Sequence, residues 1–423
     1  MTSVTLPEIL TDLAGTRPSP DSTAALRAAL HARRLLMLKA LLLRYERQRG
    51  ELRPAARRSF ERDWALLEEA ERTDAEAVRE VIDYPMTGTW LSEALSALPG
   101  PRFEQHLGHL GGLAVAAAVR ARCTFEVTRV EPSGALHLPG LGTLRCPSGQ
   151  VRLTGRAGTV RVTDGPDGDE PLALTATPRH PEPADPASAW APLVALSGGA
   201  VLDDLDPYRV PPGGIGPGAL RAAERSGVGH RHWSRLWREA HLLIAAAHPE
   251  RAAETRWTVR AVVPLEHPDH PDPPISATLR AAPGAVLAEP PGDAGVLADL
   301  LVHETHHTKL AALGEAVPLF RPGGDTLHRV GWRPDPRPVS GVLQGAYAHL
   351  ALLDLWWRAR AGPTVPAPWR RHAQSRFEAH RDEVAEALSI LRESSELTLA
   401  GREFVRGMDR HLARLGALTR HPA

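Results

Sequence analysis

Three observations on the sequence predict an α+β fold, mostly α. Both ends of the chain carry long stretches with apolar residues at helical spacing. Between them lies a block of short runs that alternate apolar and polar residues, punctuated by glycine. The most distinctive helical stretch, AGVLADLLVHETHHTKLAAL, holds a His-Glu-x-x-His pattern and directly follows two strand-like runs. The expected architecture is a metal helix and a partner helix in a helical catalytic region with short flanking strands, plus a small antiparallel β part.

The helical stretches come first. Residues 22–82 read as two helices, AALRAALHARRLLMLKALLLRYERQ and RRSFERDWALLEEAERTDAEAVREVI, with the break RGELRP between them. LSEALSALPG leads to HLGHLGGLAVAAAVRAR, so 1–122 forms an α-helical N-terminal region. Period two then takes over in CTFEVTRV, GALHL, GTLRC, QVRLTG and GTVRVT, which predicts a small antiparallel sheet. DGPDGDEP and RHPEPADPAS read as Pro/Asp-rich loops, closing a β-rich region at 123–188. The region 189–423 opens with a helix at HWSRLWREAHLLIAAAH and a strand at WTVRAVVPL. The loop EHPDHPDPP and a hairpin-like pair, ISATLRA and GAVLAE, come next. The metal helix comes after them, then an irregular PGGDTLHRVGWRPDPRPVS, a helix from Ser340 to about Arg360, and two more helices within 367–416.

Composition narrows the function classes. With 423 residues the chain is long enough for a large buried core, and 43% hydrophobic content is that of a folded protein. Acidic and basic residues balance at 50 each, so bulk charge points to neither nucleic acid nor a membrane surface. Only Lys39 and Lys309 are lysines, and a chain so rich in Arg gives no single arginine weight by its type alone. The two cysteines, Cys123 and Cys146, fit no zinc-knuckle spacing and make a thin disulfide framework, which favours a reducing, cytoplasmic location. MTSVTLPEILTDLAG lacks the basic start and apolar run of a secretion signal, and no stretch nears the ~18 apolar residues of a membrane span. The oligomeric state is not legible.

Asp293 is the expected N-cap of the metal helix, and Gly314 the expected residue just past its end. Four residues turn a helix by roughly 400°, so His303 and His307 lie about 40° apart on one face. Val296, Leu300, His303, His307 and Leu310 share a stripe. Two imidazoles so placed hold one metal ion, and Glu304 stands where a zinc peptidase places its general base. His306 faces partly away and reads as a supporting or surface residue.

The third ligand decides the chemistry. Leu310 and Leu313 occupy the positions where a metzincin has Gly and His, and no Glu occurs between Glu315 and Glu378 to serve as a gluzincin ligand. The next helix offers His349, amid Val342, Gly345, Ala346, Leu352, Leu353 and Trp356, with Asp354 as a rival and His328 as a weaker one. The small Gly345 and Ala346 would let the metal helix approach closely. Three protein ligands with open positions suit iron(II) and oxygen chemistry; four-coordinate zinc with water suits hydrolysis. The segment GWRPDPRPVSG adds Arg333 and Arg337, whose guanidinium forks fit the distal carboxylate of a 2-oxoacid.

SATLRAAPGAVLAEPP, LLVHETHHTKLAALGEAVPLF and WRPDPRPVSGVLQGAYAHLALLDLWW, in that order, resemble the HExxH proteins of actinobacterial ribosomal-peptide gene clusters. These are 2-oxoglutarate-dependent peptide β-hydroxylases. The resemblance covers about 275–360. It implies an iron(II)/2-oxoglutarate oxygenase outside the cupin or double-stranded β-helix fold, acting with O2 on a β-carbon in a ribosomally made precursor peptide. It carries His303 and His307 over as iron ligands and His349 as the third. It favours Arg337, then Arg333, for the 2-oxoglutarate carboxylate. It leaves Glu304 to orient ligands or water. The alternative reading is a zinc metallopeptidase with Glu304 as general base. A silent peptide-binding protein with a structural HExxH is a third.

Overall fold

Six helices lead the chain: α1 (Leu6–Ala14), α2 (Pro20–Gln48), α3 (Pro54–Thr73), α4 (Ala75–Ile82), α5 (Pro85–Ser96) and α6 (Pro101–Arg120). The structure, a computed structural model, describes residues 5–156, 159–164, 172–174, 188–267, 275–321, 323–324 and 326–420. Proline opens α3, α5 and α6, where its missing N–H costs nothing and its fixed φ suits the first turn. The long helix expected after RGELRP is two helices. Asp74 takes an extended backbone (φ −155°), and its carboxylate accepts the N–H groups of Glu76 and Ala77 at 3.1 Å each. A side chain that caps a new helix so well ends the previous one.

Nine strands come next: β1 (Phe125–Val130), β2 (Ala135–Leu138), β3 (Gly142–Arg145), β4 (Gln150–Arg156), β5 (Thr159–Asp164), β6 (Leu172–Leu174), β7 (Trp190–Pro192), β8 (Val194–Ala195) and β9 (Val201–Leu202). Then come α7 (Gly227–Ala247), α8 (Pro249–Thr258), β10 (Ala261–Pro264), β11 (Ser276–Ala277), β12 (Ala285–Ala288) and α9 (Ala294–Ala316). The chain ends with β13 (Leu327–Val330), β14 (Arg333–Pro338), α10 (Val339–Ala361), α11 (Ala367–Glu393) and α12 (Leu399–Arg420). The fold is mostly helical with small sheets, as the sequence predicts. Most of the two loops expected in 164–188, and residues 268–274 of EHPDHPDPP, lie outside the described residues.

The chain divides into two compact units that cut across the composition blocks 1–122, 123–188 and 189–423. One comprises His31–Ser234 and Arg260–Pro290; the other comprises Met1–Leu30, Arg235–Val259 and Pro291–Ala423. In the first, the alternating runs form two antiparallel sheets, β1-β4-β5-β6 and β2-β3-β7, rather than one. A third sheet, β11-β12-β10-β9-β8, is mixed: β10 pairs parallel with both β9 and β12, and the β11–β12 pair is antiparallel as predicted. Trp257 and Thr258, expected in the strand, end α8 instead. Helix α6 comes so close to β2 that a Cβ on Gly112 would stand 2.0 Å from the His137 carbonyl oxygen; only glycine fits there. Cys123 and Cys146 are buried free thiols.

The second unit holds the helix with the His-Glu-x-x-His pattern. Asp293 caps α9 as expected, accepting from the Val296 N–H at 2.9 Å. The helix runs through Gly314 and stops at Ala316. Helix α10 is buried along most of its length, from Val339 to Ala359, and packs on α9, α11 and α12. Among the described residues, no helix is long and apolar enough to cross a membrane.

Candidate metal centre

Two helices and a ribbon position the candidate ligands. His303 and His307, one turn apart on α9, point their rings edge to face with centroids 4.6 Å apart. Their Nε2 atoms stand 2.9 Å apart. His349 reaches the pair from α10, with its ring 5.2 Å from that of His303 at an interplanar angle of 87°. All three imidazoles are partly exposed, whereas their helix neighbours Val302, Glu304, His306, Ala348 and Leu350 are buried. The trio therefore lines an accessible spot on an otherwise closed surface.

The Gly345 carbonyl can only accept, so His349 Nδ1 donates to it at 2.8 Å and carries the ring proton. That leaves Nε2 as a free lone pair, the arrangement in which a backbone partner orients a metal-binding imidazole. Burial holds His303 well below the usual imidazole range and pulls His349 down to about 4. Burial also lowers His307, against the opposing charge of Glu304 nearby. Neutral imidazoles are the form that ligates metals. The donor chemistry thus fits a metal. The Nε2–Nε2 separation suits it too: ligands about 2.0–2.1 Å from one ion lie about 2.9 Å apart at a right angle and about 3.3 Å apart at a tetrahedral one. The same 2.9 Å is also the length of one N–H···N hydrogen bond. Among the described residues, no three His, Cys, Asp or Glu side chains already stand as a finished ligand cage.

The segment expected to be irregular is an antiparallel ribbon of β13 and β14, and its open edge accommodates its prolines. Val330 pairs with Arg333 across the turn Gly331–Trp332. The register shifts between His328 and Val330, and β14 pairs only with β13 among the described residues, so the ribbon has an open edge on which prolines, which lack a donor, are tolerated. Arg333, Asp335 and Arg337 share one face. Arg333 Nε meets Asp335 Oδ1 at 3.2 Å, and Arg337 meets Asp335 Oδ2 at 2.8 Å. Both guanidiniums expected to hold a cosubstrate carboxylate therefore already share one.

The ribbon's tip is wedged between α10 and α11. Trp332 stacks on His349, with centroids 4.5 Å apart and planes 22° apart. A Cβ on Gly345 would lie 2.8 Å from the Trp332 indole, and one on Gly331 would lie 2.7 Å from the Glu383 side chain. Gly345 therefore makes room for Trp332, not for the metal helix as its size alone suggests. No family model matches this sequence, and neither does any curated protein.

Three sequence-level candidates lie elsewhere. His306 is fully buried; its Nδ1 donates to the Val302 carbonyl at 2.7 Å and its Nε2 accepts from Arg251 at 3.0 Å. It belongs to the back of α9, not to the surface. Asp354, the rival third ligand, comes five residues after His349 and so points about 140° away. It pairs with Arg251 at 3.5 Å and Arg358 at 3.2 Å. His328 sits opposite Arg337 in the ribbon.

Sequence reasoning missed two neighbours on α11. The His380 ring lies 5.7 Å from that of His349, and its Nδ1 bonds Glu383 at 2.6 Å. Arg376 lies over Trp356, 5.4 Å from the ring centroid, and its charge contributes to lowering His349. Neither carries a motif, and α11 is separated from α9 by the ribbon and α10. Its packing on α10 and the 2.9 Å contact of His372 with Asp299 of α9 bring it in.

A buried ion network backs the site. Arg251 donates to Glu254 at 2.5 Å and also to the Thr16 carbonyl, and Lys309 meets the other Glu254 oxygen at 2.5 Å. With Asp354, two cations face two anions, all four nearly inaccessible to solvent. One signal points to it in the sequence: Lys309 is one of two lysines in a chain whose other basic residues are arginine.

Proposed function

We propose that this chain is an iron(II)- and 2-oxoglutarate-dependent oxygenase that hydroxylates a β-carbon in a ribosomally made precursor peptide. His303, His307 and His349 would hold the iron, which when bound supplies the activation of O2 coupled to decarboxylation of 2-oxoglutarate to succinate. The observation that carries the reading is the third converging donor. It is an imidazole from α10, already oriented through Nδ1, while the competing carboxylate Asp354 is turned away and ion-paired. The Gly345 carbonyl and the Trp332 ring fix the plane of His349. Glu304 is buried beside His307 and opposes the lowering of that imidazole by burial. Arg337, then Arg333, would receive the 2-oxoglutarate carboxylate, with Asp335 as the group it exchanges with.

A zinc peptidase is the second reading because Glu304 stands beside His307, where a general base belongs. One experiment separates the two. The chain is loaded anaerobically with iron(II), given 2-oxoglutarate, then exposed to air with the precursor peptide. The oxygenase reading expects one iron per chain, lost in His349→Ala, with succinate release and a peptide heavier by one oxygen atom. Tightly held zinc, no succinate and peptide cleavage abolished by Glu304→Gln would establish the peptidase instead.

A further inference from the structure

A cavity of about 260 Å³ opens on the side of α10 away from His349. Arg358 comes nine residues after His349, which places it about 180° around the helix. The turn after α1, the start of α8, α10 and α12 all contribute to its wall. Its charged lining is lopsided: Arg17, Arg358 and Arg414 against the single carboxylate of Asp354. That carboxylate is already committed. Arg251 and Arg358 pair with it, and the His248 and His411 rings lie 3.8 and 3.9 Å away. Burial lowers both imidazoles, His411 to about 4, so both are neutral at neutral pH and leave the balance of arginines and carboxylate unchanged.

The other groups are donors without acceptors. Arg17 and Arg414 make no ion pair among the described residues. The Trp357 side chain also lines the cavity. The wall itself is held firmly. Thr16 adopts a left-handed backbone (φ 48°); its carbonyl accepts from Arg251 and its hydroxyl lies 3.2 Å from His411 Nε2. Such a conformation persists in a non-glycine residue only where its surroundings enforce it.

We propose that this cavity binds a small organic anion bearing a carboxylate or a phosphate, through Arg17, Arg358 and Arg414. A cation would face three guanidiniums. A neutral apolar ligand would leave the donors unmatched. The volume lies just below the ~300–1,000 Å³ of usual ligand pockets, so it admits a metabolite-sized anion and not a polymer. Guanidinium forks match the oxygens of both carboxylates and phosphates.

The test is calorimetric titration of the full chain with inorganic phosphate and, separately, with glutarate, at an ionic strength of about 0.1 M. The expected result is saturable binding of at least one. It should weaken at least tenfold in the Arg17→Glu/Arg414→Glu double variant and stay unchanged in His303→Ala, which places it away from the imidazole trio. Both substituted arginines are exposed, and Arg414→Gln alone serves if the double variant does not fold. Binding of phosphate but not glutarate identifies a phosphate-bearing ligand, and the converse a carboxylate. Binding of neither, or binding that survives the arginine substitutions in an Arg333→Gln/Arg337→Gln background, overturns the proposal.

Discussion

Replacing Lys309 by Met tests whether the network behind the metal helix holds as a charge-balanced unit. The ammonium lies 2.5 Å from Glu254 Oε1, and both side chains are 3% exposed. At an effective dielectric constant near 20, that contact is worth about 6–7 kcal/mol of attraction before desolvation is subtracted. Removing one partner of such a pair typically costs about 3–5 kcal/mol, because the other charge stays buried. The pH dependence comes from Glu254. Burial pushes its carboxyl up, but Lys309 and Arg251 outweigh burial and hold it below the usual range. In the native chain its contribution is therefore present above the unfolded carboxyl pKa of about 4.3 and lost as pH falls through the lower folded value. Without Lys309 only Arg251 opposes burial, and the folded pKa is expected to rise above the unfolded one. The variant then gains stability as pH falls towards the unfolded pKa. Urea unfolding of metal-free protein should show the full penalty at about pH 8 and a clearly smaller one at about pH 5. Adding Glu254→Gln to Lys309→Met should recover about 1–3 kcal/mol. A penalty under about 1 kcal/mol, or one equal at both pH values, would refute the reasoning.

Gly345→Ala should force the Trp332 indole off His349, since the new Cβ would start 2.8 Å from it; we expect a cost of about 1–3 kcal/mol. The check is weaker iron retention together with a changed tryptophan emission. Arg337→Gln should raise the KM for 2-oxoglutarate about tenfold or more, the equivalent of ~1.4 kcal/mol, while Asp335→Asn, by freeing both arginines, should lower it. A rise seen only in Arg376→Gln would transfer the role to Arg376. Asp74→Ala removes the cap accepting from Glu76 and Ala77 and should cost about 1 kcal/mol in chemical unfolding, with no effect on metal content.

Local signals are legible where the cause is local. The cap at Asp293 and the i, i+4 pair His303 and His307 are set within a few residues, so the sequence places them correctly. The break at Asp74 is equally local, but the flanking periodicity is unbroken and hides it. The ribbon at 327–338 escapes sequence reading because its prolines argue against a strand. They argue so only for a strand paired on both edges, and this one pairs on one edge alone among the described residues. The parallel pairing of β10 with β9 and β12 joins residues some 60 and 24 positions apart in register, as in Val201 with Ala261 and Ala261 with Ala285. Nothing in four-residue apolar runs specifies such partners.

The candidate site shows the same division and adds a physical reason for it. His349 is legible as a third donor because an imidazole among small and apolar neighbours on a helix calls for a partner, and Asp354 competes on the same grounds. Helix geometry separates them. Five residues carry Asp354 to the far side of α10, where Arg251 and Arg358 neutralise it. A carboxylate buried beside two guanidiniums is stable as an ion pair; the same carboxylate turned towards His303 would leave Arg251 with one anion fewer in a fully buried position. The charge balance on the back of α10 thus helps to keep the front of the helix for the imidazole. Residues that no motif picks out, Arg251 and Lys309 above all, thereby shape which side chains of α10 face His303 and His307.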